Sequence, residues 1–163
     1  PLVVEKRDKI PDDELLKCYY EHVVREVFRE LVLTILAKDM AMCDLDHYRM
    51  FAIDTLSDLM GMTDAVELTE NALSIIVNKL GDGAKKVHGH AIQLLTKLTI
   101  KFKSSILEDV PAIIVRELGQ FLDRSSKKPS HRVYALGCLN KLSTIVVSQN
   151  IKIRTNFLQI YFK

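Results

Sequence analysis

Along most of the chain, apolar residues recur every three or four positions, the spacing that puts them on one face of an α-helix. The first such run opens after Pro11. Leu16, Tyr20, Val23, Val27, Leu31 and Ile35 form a stripe, with Val24, Phe28 and Val32 beside it, so the pattern predicts a long amphipathic helix ending near Lys38. Asp12 or Asp13 can cap it. Residues 1–11 are charged and aperiodic and read as a linker or tail; 12–163 read as one helical-repeat segment, a fragment of a longer protein.

Further helices follow. Asp44 can cap one whose core face is Tyr48, Phe51, Ala52, Thr55, Leu56 and Leu59, and which stops at Gly61. Thr63 or Asp64 starts a third, burying Val66, Thr69, Leu73, Ile76 and Leu80. Gly81 is expected to end it in a left-handed conformation, with Asp82 capping the next. That fourth helix carries the stripe Val87, Ala91, Leu94, Leu95, Leu98 and Phe102. Ser105 and Glu108 have the spacing of a capping box. The main helix there starts after Asp109, since Pro111 is tolerated only in a first turn, and runs through Ile114, Leu118, Phe121 and Leu122. Pro129-Ser130 opens a sixth helix with Tyr134, Ala135, Cys138, Leu139, Leu142 and Ile145, and a last one begins near Asn150.

No run alternates with the period of a strand, so the fold class is all-α. Helix openings at Asp44, Asp82 and Ser130 recur close to the roughly 40- to 47-residue period of HEAT and armadillo arrays, which predicts an α-solenoid of helix pairs. Such a pair buries its apolar face only by stacking on its neighbours.

Charge changes this picture. The net charge is only +2, but residues 1–76 hold 8 Lys/Arg against 16 Asp/Glu, while 77–163 hold 15 against 5. The molecule is polarised, and its basic half is suited to a polyanion or an acidic partner. Cys18, Cys43 and Cys138 are odd in number and lack metal-like spacing, which fits buried thiols in a reducing compartment. The most apolar segment, Val23–Ala37, is interrupted by Arg25, Glu26, Arg29 and Glu30 and is not a membrane span.

The motif closest to a ligand site is Gly81-Asp82-Gly83-Ala84-Lys85-Lys86. A phosphate loop needs a strand before it and Lys-Ser/Thr at its end. Here a helix precedes and Val87 follows the lysines, so the motif reads as a corner between packed helices. His88 and His90, two apart on a helix, diverge and cannot chelate together. Tyr20-Glu21-His22, Ser125-Ser126 and Ser130-His131 place no nucleophile beside a base. The expectation is no catalytic residue, no metal, no cofactor and no small-molecule substrate. What remains are basic corners. In stacked helix pairs the links between pairs share one edge, which would align Lys79, Lys85 and Lys86 with Arg124, Lys127, Lys128, His131 and Arg132. That edge is either a solvated rim or a contact strip for RNA phosphates or an acidic surface. It holds no aromatic residue for base stacking, so nucleic-acid contact would be to the backbone.

"IVNKLGD" at 76–82, followed by Lys86-Val87, Ala91 and Leu94-Leu95, resembles the signature of the CCAAT-binding-factor family of nucleolar ribosome-assembly proteins. "YYEH" at 19–22 precedes it, and "VREL" at 115–118, "SHRVYA" at 130–135, "CLN" at 138–140 and "IYF" at 160–162 follow in the family's order. The likeness covers roughly residues 15–163. It departs from the family pattern mostly at corners, in Lys101-Phe102-Lys103-Ser104, Asp123-Arg124-Ser125 and Val133. The resemblance implies a non-enzymatic helical-repeat scaffold in the nucleolus. Its implied work is early assembly of the large (60S) ribosomal subunit, paired with a second nucleolar complex protein and bound to precursor rRNA in the pre-60S particle. The family's older name implies CCAAT-box DNA binding and transcriptional regulation, for which the sequence offers no base-reading helix or zinc finger. A generic peptide-binding solenoid adaptor is the third reading.

Overall fold

The computed structural model describes residues 11–60, 66–102, 110–124, 129–146 and 151–162. Among them the chain is helical almost throughout, with no strand. In order come α1 (Asp12–Glu30), a π-helical continuation (Leu31–Met40), α2 (Asp46–Met60), and α3 (Val66–Asn78) with a 3-10 turn (Lys79–Gly81). Then follow α4 (Lys85–Lys101), α5 (Val110–Arg124), α6 (Pro129–Val146) and α7 (Ile151–Tyr161). The expected starts at Thr63 or Asp64 and near Asn150, the stop at Gly61, the Ser105–Glu108 capping box, Lys127, Lys128 and most of the 1–11 tail lie outside the described residues.

The helices pack in two rows. The π segment, α3, α5 and α7 follow one another in one row, and α2, α4 and α6 in the other, each helix also touching its sequence neighbours. The core runs between the rows. Leu73, Ile76 and Leu80 of α3 and its turn meet Leu95 and Leu98 of α4, Ile114 and Leu118 of α5, and Leu139 and Leu142 of α6. Most of the stripes read for α3 to α6 are buried there, with Leu122, Tyr134 and Ile145 half-buried and the Val66 side chain outside the described part. Cys138 lies in this core, and burial pushes its thiol up to about 12. Within the row of α3, α5 and α7, Arg116 of α5 reaches Glu70 of α3 at 3.2 Å.

Two elements differ from the sequence reading. α2 turns a different face inward: Ala52, Ile53, Leu56 and Met60 are buried, while Tyr48 and Phe51 are 44% and 57% exposed. The inward set is displaced by about one position, and Arg49, not Tyr48, turns inward, toward the link before α2 and Asp82 in the link after α3. Asp44 does not cap α2; the carbonyl of Leu45 accepts from the amides of Tyr48 and Arg49 instead. α1 departs further. Its stripe is largely exposed: no α1 residue is buried, Phe28 alone among those read for it packs half-buried against the core, and the helix's main contacts are with the π segment that continues it. Leu36 is the first buried side chain of the chain's described part.

No helix among the described residues is long and apolar enough to cross a membrane.

Candidate functional site

The corner between α3 and α4 is built by one ionic cluster. Arg49 of α2 donates through Nη1 to the carbonyls of Cys43 (2.6 Å) and Asp44 (2.9 Å). Its Nη2 donates to Asp46 Oδ1 (2.6 Å) and Asp82 Oδ1 (3.1 Å). Its Nε stands 3.0 Å from Asp82 Oδ2 but does not direct its hydrogen at that oxygen, so this is a charge contact only. Lys79 sits 3.5 Å from the same carboxylate and donates to the carbonyl of Ala41. One carboxylate thus gathers two cations, tying the 41–45 link to the 79–84 link.

Asp82 does not occupy the N-cap of α4. Its Oδ1 accepts from the amide of Ala84 at 3.0 Å, a turn two residues long, and Ala84 itself caps with its carbonyl to the amides of Val87 and His88. Gly81 is not left-handed either; no described residue has a positive φ. Glycine is there for space. A Cβ on Gly81 would lie 3.1 Å from the His131 ring and 3.4 Å from Phe121.

That contact sets the start of α6 against the α3–α4 corner. His131, at the start of α6, presses on Gly81 and stacks on Phe121, and the next turn of α6 places Tyr134 against His88, ring centroids 3.9 Å apart. Of the residues expected along the edge, Lys85, Lys86, Arg124 and Arg132 are exposed. Arg124 also donates through Nε to the carbonyl of Gln120 at the end of α5. His131 is half-buried and serves packing. Lys79 departs from the expectation: only 8% exposed, it faces the interior cluster and offers no surface charge. Burial lowers its pKa from 10.5, opposed in part by Asp82.

The sequence reading does not single out Arg49. Its signal lies in the spacing 49, 53, 56, 60, which puts the guanidinium at the end of the face that α2 buries.

Lys85 and Lys86 occupy the first turn of α4, which holds no acidic residue and no side-chain cap. The partial positive charge of a helix N-terminus disfavours cations there. Two exposed lysines in that position do nothing for folding, and together with the amides beside them they present a positive corner to solvent. Searches against protein-family models and against characterised proteins gave no match.

Proposed function

We propose that the chain is a segment of an α-solenoid scaffold that contacts an RNA backbone through the α3–α4 corner. Supporting the solenoid reading is the packing register, in which each element from the π segment to α5 meets both the next and the next but one, as stacked helix pairs do. The single observation that carries the RNA reading is the exposed Lys85–Lys86 pair, set against the α4 dipole and adjoining the α6 corner. The acidic-to-basic division of the chain favours the same end for a polyanion. The sequence likeness to the CCAAT-binding-factor family supports work in nucleolar assembly of the large ribosomal subunit. Precursor rRNA and a second nucleolar complex protein would be the scaffold's partners, and no enzymatic role would be its own. Within that family the likeness is to nucleolar complex protein one.

The test is filter binding of precursor rRNA fragments across a salt series. Lys85→Glu/Lys86→Glu, alone and combined with reversal of Lys127 and Lys128, should weaken binding while leaving helicity intact, since exposed charges contribute little to folding. The slope of log affinity against log salt should fall by about 0.7–0.9 for each phosphate left without its cation. Arg25→Glu/Arg29→Glu, in the acidic half, is the control. Equal weakening by both sets, or by neither, would show the corner to be an ordinary solvated rim. Preference for duplex CCAAT DNA over rRNA would favour the transcriptional reading instead.

A further inference from the structure

Sequence spacing leaves the basic corners without an aromatic residue, so the contact expected there is to phosphates alone. The fold changes this by setting α2 beside α4. His90 Nε2 of α4 stands 2.7 Å from Asp54 Oδ1 of α2, and Arg49 of α2 meets Asp82 just ahead of α4, so the two helices run parallel and in register. One turn back toward the corner lies four residues before His90 and three before Asp54. Those positions are Lys86 and Phe51. Both are exposed, Phe51 by 57%.

Phe51 is not alone. A further turn back, the rings of His47 and Tyr48 stand 4.5 Å apart, and both residues are open to solvent. Three rings thus follow one another on the outer side of α2, beside Lys85 and Lys86. Rings so exposed contribute little to folding, and next to cations they have the composition of a single-strand platform. The π faces take bases of any sequence while the cations take the backbone.

Charge fixes which side is which. α4 carries no carboxylate, whereas α2 carries Asp46, Asp54 and Asp58. Asp46 is held by Arg49 and Asp54 faces His90. Phosphates are therefore favoured on the α4 side and repelled from the α2 side, which leaves the bases to lie over the rings. A duplex cannot use such a platform, because its bases are already paired and stacked.

We infer that the α3–α4 corner takes single-stranded RNA, with the backbone on Lys85 and Lys86 and successive bases stacked on Phe51 and on the His47–Tyr48 pair. The inference rests on the RNA reading of that corner and adds the class of strand and the way it lies.

Fluorescence anisotropy with labelled oligoribonucleotides tests it, using an unstructured strand and a hairpin of the same length. The unstructured strand should bind at least about fivefold tighter than the hairpin. Phe51→Leu keeps an apolar side chain at an exposed position but removes the ring, so it should fold as the wild type does by circular dichroism. It should weaken single-strand binding by about fivefold or more, the loss expected when one base loses its stack. The salt slope should stay at the wild-type value, because no phosphate contact is lost, whereas Lys85→Glu/Lys86→Glu should lower it. Phe51→Tyr, which restores a ring, should bind as the wild type does. Wild-type affinity in Phe51→Leu, with the lysine reversals still weakening binding, would overturn the stacking and leave the RNA reading standing. No effect of either set would remove both. A hairpin bound as tightly as the unstructured strand would also overturn the inference, since a backbone contact alone would then account for the affinity.

Discussion

At Gly81 the room that a methyl group would need is already taken by the His131 ring, 3.1 Å from where it would sit. Gly81→Ala should therefore destabilise the fold by about 1 kcal/mol or more, the cost of overpacking a tight site. Gly83→Ala meets nothing within 4 Å and has no positive φ to strain, so it should be neutral or stabilise by up to about 1 kcal/mol. Urea midpoints distinguish the two, and His131→Ala should reduce the Gly81→Ala penalty because the two residues press on each other. Spacing marks this glycine as a helix end but hides its reason, because the neighbour that excludes a side chain lies fifty residues further on. Lys79 makes the same point through charge. Its folded pKa lies below 10.5, so between the two values the unfolded chain holds a proton that the folded chain has released. Stability then rises with pH through that window, and below it the full cost of burying the ammonium is present. Asp82 opposes the shift, so Asp82→Asn should lower the Lys79 pKa further, as followed by NMR of the lysine Cε resonance; an unchanged or raised value would contradict the pairing.

Single helices are legible where both of their flanks meet neighbours. α3, α4, α5 and α6 bury most of the stripes their spacing announces, because a helix packed against both its own row and the other has one unambiguous inner side. For α2 the expected face is about one position off, since Tyr48 and Phe51 are as apolar as Ile53 and Met60 and periodicity alone cannot rank two adjacent stripes. What decides between them is Arg49, whose fork fits carbonyls and carboxylates from two links at once. Removing one partner from a largely buried ionic cluster leaves the others uncompensated. Arg49→Met should destabilise by about 3 kcal/mol, measured by denaturant unfolding, and Arg49→Lys should recover little because an ammonium cannot reach four acceptors in one plane. Wild-type stability in Arg49→Met would mean the two links hold their positions without it.

For the whole molecule, the all-α class follows from helix spacing. Which basic residues at the corners face solvent does not, since Lys79 differs from Lys85 only in what folds over it. The first helix departs from expectation for the opposite reason. Its apolar stripe is genuine, and nothing in a stripe says whether the surface that covers it comes from the same molecule. That bare helix sets the order in which backbone amides open. A helix of 19 residues with no buried side chain has mostly its own propensity to hold it, and isolated helices of about that length are marginal in water. Its amides should exchange with deuterium far sooner than those of α4 or α5, with protection climbing after Leu36, where the chain first enters the core. Any surface that seats the stripe should slow exchange along α1 alone, so the isotope pattern would mark where a partner sits even before the partner is known.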